Sequence, residues 1–223
     1  MDQYDFVEPM DVSPKGGVIA MHHLDSEIFA GGSLACANHI ANFCRNVTLI
    51  SCLGSEESHE EMIKSSLARN IKPWFLFRNG LKTIVKRRQI SRSYFQKHSE
   101  TYLFDDRPLS QSEEEILLQY LDRCLENFDL VFVIDYGHGF ITENIVRYLS
   151  EFHKRLAVNT QTNSANKGFN LISKYPRVNY VCLDHFEMKL AMQDKLSASE
   201  HLAKKLMEQL QSSVVAVTLG HFG

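Results

Sequence analysis

Leu130-Val131-Phe132-Val133-Ile134 is an unbroken apolar run, and Asp135-Tyr136-Gly137-His138-Gly139 follows it at once. Such a run predicts a strand buried on both faces, as in a helix-covered parallel sheet. Val47 to Leu53 reads as another strand and stops at Gly54. A helix is predicted over Ser58 to Asn70, with Met62, Ile63 and Leu67 as its apolar stripe. Ser110-x-x-Glu113 is a capping-box signature and opens a helix whose inner face is Ile116, Leu117, Tyr120, Leu121 and Cys124. Thr142 caps a helix carrying Ile145, Val146 and Leu149. Short strands follow at Leu156 to Val158 and Tyr180 to Leu183. Ser197-x-x-Glu200 is a second capping box, starting a helix with Leu202, Leu206 and Leu210, and Val214 to Val217 is the last strand.

From about residue 47 onward this order is a βαβα alternation. The fold class it predicts is α/β: a mostly parallel central sheet with helices on both faces and right-handed crossovers. One stretch interrupts it. Trp74 to Phe77, Thr83 to Gln89 and Thr101 to Phe104 read as strands with no helices between them, and Val18 to Met21 and Ile28-Phe29 look similar. They predict a small β flap, from about 15–30 and 74–105, over one end of the main sheet. Residues 1–223 as a whole are expected to form a single domain.

Composition narrows the function classes. A hydrophobic fraction of 44% and a charged fraction of 23% are ordinary for a globular chain. The net charge of -3 gives no reason to expect nucleic acid as a partner. No apolar run approaches the ~20 residues that a membrane helix needs. The start, Met1-Asp2-Gln3-Tyr4-Asp5, is neither basic nor apolar, so it is not a signal peptide. Five cysteines without a Cys-x-x-Cys pair read as buried reduced thiols and point to a cytoplasmic setting. The ten histidines show no zinc spacing. Neither the dinucleotide fingerprint, nor the P-loop, nor the Gly-x-Ser-x-Gly elbow occurs.

Five segments could carry chemistry, and each has a plainer reading beside it. Gly31-Gly32 before a small-residue helix would let a ligand approach the backbone, or the glycines only serve a turn. In Lys86-Arg87-Arg88, alternation puts Lys86 and Arg88 on one face and Arg87 on the other. Two cations there could hold a phosphate, or merely protect a sheet edge. Asp135 leaves a strand where parallel sheets bind ligands, or forms an Asx turn. Asp184 and Glu187 share a helix-start face; they could hold a hydrated magnesium ion or simply cap the helix. Asn159 to Asn166 is a run of uncharged hydrogen-bonding side chains that suits a sugar or nucleotide rim, or an ordinary loop.

Read in order, these segments resemble the ribokinase-like (PfkB) carbohydrate kinases, nearest to the heptose-phosphate kinase domains. The resemblance rests on Gly31-Gly32, Val47 to Gly54, Thr83 to Arg88, Asp135 to Gly139, Asp184-x-x-Glu187 and Thr218-Leu219-Gly220-x-x-Gly223. It implies a central sheet with a β flap, ATP and magnesium as cofactors, and a sugar or sugar phosphate as substrate. Asp2, Gly31, Gly32, Asn38, Lys86, Arg88 and Asp135 would form the substrate-binding set. Asn159, Asp184, Glu187, Thr218, Gly220 and Gly223 would border the nucleotide, and Glu187 would organise the metal. The family also forms flap-to-flap homodimers and, among heptose kinases, fusions with a nucleotidyltransferase.

The chain departs from the family pattern in several places. Ala35 stands near the place of the asparagine that follows the glycine pair, and Asn38 comes later. Asp184 replaces the asparagine of the Asn-x-x-Glu motif. The strand before Asp2 and the Gly-Ala-Gly-Asp motif, which carries the anion hole and the base, are not in the sequence. The expectation is a fragment, truncated at both ends, of an ATP-dependent carbohydrate kinase, inactive by itself. The alternative is a non-catalytic sugar-phosphate-binding or regulatory module.

Overall fold

The computed structural model describes residues 1–152 and 155–223. The chain divides into two compact units, Met1–Asp105 and Asp106–Gly223.

The first unit holds β1 (Asp2–Val12), β2 (Ile19–Phe29), α1 (Ser33–Ile40), β3 (Val47–Glu56), α2 (Glu60–Ser66), β4 (Ile71–Lys82), β5 (Val85–Ser91) and β6 (Lys97–Leu103). Four of the strands form a mixed sheet in the order β2-β1-β5-β6. β1 runs antiparallel to β2 and parallel to β5, and β5 runs antiparallel to β6. The hydrophobic pattern does not single out Asp2–Val12 as a strand. It becomes one because β2 and β5 flank it and take its backbone hydrogen-bonding groups on both sides. Trp74 to Phe77 also differs from expectation. It lies in β4, paired in parallel with β3 at Ile50↔Trp74, and not in the flap sheet. The cause is the core: Leu34, Ala37, Leu49, Leu53, Ile63 and Ile71 bury together where α1 and α2 meet this ribbon.

The second unit holds α3 (Gln111–Cys124), β7 (Leu130–Asp135), α4 (Glu143–Glu151), β8 (Arg155–Thr160), β9 (Tyr180–Asp184), α5 (His185–Met192), α6 (Ser199–Gln209) and β10 (Val214–Thr218). Its sheet is parallel throughout, in the order β10-β9-β8-β7. Val158, Val181, Leu183, Met188, Leu202 and Leu206 fill its core. Each contributes roughly 1.5–3 kcal/mol by leaving water. The Ser110–Glu113 capping box and the Thr142 cap form as expected.

Three expectations fail in detail. β7 is not buried on both faces: Leu130 and Phe132, which share one face, are exposed, while Val133 and Asp135 on the other face are buried. Ile116 points outward, while Leu117 and Leu121 bury. Ser197 caps nothing. Its hydroxyl and N–H both donate to Asp194, and α6 starts from Ala198 without a side-chain cap.

Candidate functional site

Among the described residues, polar side chains gather in two places, one in each unit. On the mixed sheet, strand alternation puts Asp2 and Tyr4 of β1, Lys86 and Arg88 of β5, and Glu100 and Tyr102 of β6 together. The register sets them side by side, with Asp2↔Lys86, Tyr4↔Arg88, Arg88↔Glu100 and Lys86↔Tyr102. Arg88 Nη1 donates to Asp2 Oδ1 at 2.5 Å, and Arg88 Nε lies 3.4 Å from Glu100 Oε1. Lys86 Nζ lies 3.3 Å from Glu100 Oε2, and Lys97 Nζ lies 2.7 Å from Oε1. Lys86 also sits over the Tyr102 ring, and Arg88 over Tyr4. The Lys97 ammonium, helped by Lys86 and Tyr102 against partial burial, holds the Glu100 carboxyl down to about 2. Arg87 points the other way, toward Asp5 at 3.6 Å, as alternation predicts.

Gly31 closes this cluster. A Cβ there would fall 1.6 Å from Asp2 Oδ2, so only a hydrogen leaves room for the carboxylate. Gly32, at φ 56°, then turns the chain into α1. Asn38 is not brought here. Its amide donates to the Ser66 carbonyl and accepts from Ala68 N–H, which clamps α1 to the segment after α2. Both ends of its amide are therefore engaged by backbone groups.

In the second unit, the carboxyl ends of the parallel strands carry the other gathering. Asp135 pairs with Thr160 across β7 and β8, and Thr218 with Asp184 across β10 and β9. Asp135 is almost fully buried. Its Oδ1 accepts from Gly137 N–H at 2.9 Å, which is the Asx turn. Its Oδ2 accepts from the Tyr175 hydroxyl at 2.8 Å and the Lys174 ammonium at 2.5 Å. Burial, reinforced by Asp135, pushes the Tyr175 phenol far up, so it stays a donor. Asn163 and Asn166 donate their amides to the Tyr136 carbonyl, and Asn170 donates to the Asp135 carbonyl. Gly137, at φ 70°, has no room for a side chain: a Cβ would lie 2.4 Å from Asn166 Nδ2. Burial pulls the His138 imidazole down, against the attraction of Asp106 and Asp135.

Asp184 and Glu187 form a reciprocal capping box, so the plainer reading of that pair is realised. Glu187 Oε1 also accepts from Thr162 N–H at 2.7 Å, and burial pushes its carboxyl up despite these bonds. Each of its oxygens keeps a lone pair. One carboxylate with spare lone pairs fits a magnesium ion that retains its waters and takes phosphate oxygens. Among the described residues, no group of three or more His, Cys, Asp or Glu side chains could hold a metal unaided. Asn159 donates to the Cys182 carbonyl and ties β8 to β9. Thr218 ends β10, and the turn Gly220–Phe222 leads to Gly223. Sequence reading misses Tyr4, Glu100, Asn170, Lys174 and Tyr175. Lys174 and Tyr175 sit about forty positions from the Asp135 that they serve, and nothing local marks them.

No family model matches the chain. Searches by sequence and by structure do find relatives. The chain is 26% identical over 228 residues to the bifunctional protein HldE of Pasteurella multocida, covering all of this chain and 45% of that protein. It is 24% identical over 225 residues to HldE of a Marinomonas species, covering 46% of that protein. It therefore spans less than half the length of these curated relatives. Escherichia coli phosphofructokinase-2, solved with fructose-6-phosphate, superposes with a TM-score of 0.70 at 13% identity, over 98% of this chain and 70% of that one. Thermotoga maritima ribokinase superposes with a TM-score of 0.66 at 15% identity, over 98% of this chain and 68% of its own. The fold is ribokinase-like. Its α/β architecture is that of the sugar and sugar-phosphate kinases, as the order of motifs predicts. No helix of this ribokinase-like chain is long and apolar enough to cross a membrane among the described residues.

Proposed function

We propose that this chain is the kinase part of an ATP- and magnesium-dependent enzyme that transfers the γ-phosphate to a hydroxyl of a sugar phosphate. Both units would serve one ribokinase-like domain, a reading supported by the 98% coverage in the structural superpositions. The observation that carries it is the flap-sheet face. There two cations, Lys86 and Arg88, stand beside Asp2, packed on Gly31, and between the rings of Tyr4 and Tyr102. Carboxylates suit sugar hydroxyls, ring faces suit the apolar side of a pyranose, and cations suit the phosphate.

In the second unit, Thr218, Gly220, Gly223 and Asn159 would border the nucleotide. Glu187, steadied by the Asp184 cap, would hold magnesium, which neutralises phosphate charge when bound. Asp135 takes a positioning role here, because its oxygens are already engaged by Gly137, Lys174 and Tyr175. It keeps the Tyr136–Gly139 turn and the Asn163–Asn170 loop in fixed places, so their backbone groups face a ligand without reorganising. Catalysis then comes chiefly from placing the acceptor hydroxyl in line with the γ-phosphate. The relatives are named bifunctional, which supports a second activity joined to the kinase in the parent protein.

The test is ADP release with heptose phosphates, hexose phosphates and hexoses, run beside calorimetric binding of the same sugars. ADP formation that depends on a sugar phosphate supports the kinase. Tight sugar-phosphate binding with no ATP turnover at saturating magnesium and ATP, both in this chain and in a version extended at both ends, replaces it with the non-catalytic binding module.

A further inference from the structure

Three cations on the flap-sheet face converge on a single carboxylate. Lys97 and Arg88 approach Glu100 Oε1 at 2.7 and 3.4 Å, Lys86 approaches Oε2 at 3.3 Å, and the Tyr102 hydroxyl donates to Oε2 at 3.1 Å. This is the donor set that an anionic ligand would use, and the protein fills it from its own chain. Glu100 is only about one-fifth exposed, and it stands directly across the ladder from Arg88. Asp2 holds the other side of Arg88 at 2.5 Å. Three cations against two carboxylates leave one residual positive charge on the face.

We propose that Glu100 is a specificity-determining residue: an internal counter-ion that an incoming anion must displace, so that only a phosphate dianion binds well. The inference rests on the reading of this face as the sugar-phosphate site and adds how the site chooses its ligand. A carboxylate or other monoanion would exchange one single charge for an equivalent one already in place, at optimised distances, and gain almost nothing. A phosphate monoester carries up to two charges and three acceptor oxygens, enough to engage Lys86, Arg88 and Lys97 together. Glu100 then swings toward water, and the residual positive charge favours the dianion further. Without Glu100 the selection weakens, because any anion meets cations that lack one counter-ion.

The experiment titrates inorganic phosphate and acetate, at a pH where phosphate is mostly dianionic, into the wild type, Glu100→Gln, Glu100→Ala, Lys86→Met and Arg87→Met. Thermal unfolding of each variant checks that it is folded, and two Glu100 variants guard against the failure of one. The expected result is that both Glu100 variants bind phosphate about tenfold tighter and acetate tighter by a larger factor. The phosphate-to-acetate preference therefore narrows, while Arg87→Met, on the opposite face, matches wild type. If the Glu100 variants match wild type for both anions while Lys86→Met loses phosphate, the counter-ion proposal is overturned and the phosphate site stands. If phosphate binds none of the variants nor the wild type, both fall together.

Discussion

The two polar gatherings differ in what their side chains are already doing. At the carboxyl ends of β7, β8 and β9, nearly every polar group is engaged by a neighbour: Asp135 by Gly137, Lys174 and Tyr175, and Glu187 by Thr162 and Asp184. What such a region offers a ligand is backbone and shape, held rigid. On the flap-sheet face the charges are paired with each other but stay partly in water, so a ligand can take over their partners. A buried network sets geometry, whereas a half-exposed one exchanges ions. The proposed kinase would use both, a stiff frame for the phosphates and an adaptable clasp for the sugar.

The strongest way to break this contrast is Asp135→Ala. It leaves the buried Tyr175 hydroxyl without its acceptor, removes the Lys174 ion pair and opens a hole at a buried position, and it should destabilise the protein by roughly 3 kcal/mol. Urea unfolding with an unchanged slope would measure it. A loss below about 1 kcal/mol would mean that the second gathering is no stiffer than the first. Gly31→Ala should act on binding more than on folding. The new methyl group displaces Asp2, the carboxylate proposed for the sugar hydroxyls, so affinity for a sugar phosphate should fall about tenfold relative to inorganic phosphate, as for loss of a charge-assisted contact. Calorimetric titration reads the binding, and an unfolding shift of more than about 2 kcal/mol would mark Gly31 as structural first.

How much of this was legible follows the range of the interactions. The β7 run, the Gly31-Gly32 pair and the placing of Lys86 and Arg88 opposite Arg87 come from local periodicity and show directly. The Asp184-Glu187 pair is legible as a position, and the structure resolves it into a capping box. Glu100 lies in Lys97-His98-Ser99-Glu100, which has no hydrophobic signal; only the ladder with β5 turns it into the hub of three cations. Lys174 and Tyr175 are invisible for the same reason, since a partner about forty positions away is chosen by topology. β4 was misplaced because an apolar strand does not state which sheet it joins; the core beneath α1 decides that.

Acid and base titration sharpen the contrast further, because the two glutamates shift in opposite directions. Glu100 sits at about 2, below its ordinary 4.5, so its contribution to stability is present above pH 4.5 and is lost as pH falls toward 2. Glu100→Gln should flatten that acid limb. Glu187 is pushed above 4.5 by burial, so the stability tied to its protonated form is complete below pH 4.5 and is lost as pH rises through the raised value. Glu187→Gln should remove that loss while costing about 1 kcal/mol for the disturbed cap. Unfolding midpoints measured from pH 2 to 8 separate the two effects, and identical pH profiles for both variants would contradict the contrast.

The smallest expected effect is the most discriminating. Arg87 belongs to the same basic triplet as Lys86 and Arg88, yet it points to the other side of the sheet, 3.6 Å from Asp5 and more exposed than Arg88. If net positive charge on the strand were what attracts phosphate, all three side chains would count alike, because charges this close are little screened at physiological salt. If the arrangement on one face is what matters, Arg87→Met should leave phosphate affinity unchanged, and its cost, about 1 kcal/mol of stability, should come from the lost pair with the buried Asp5. A loss of affinity approaching that of Lys86→Met would show that the strand works as a diffuse basic patch, and the assignment of a structured phosphate clasp to this face would fail with it.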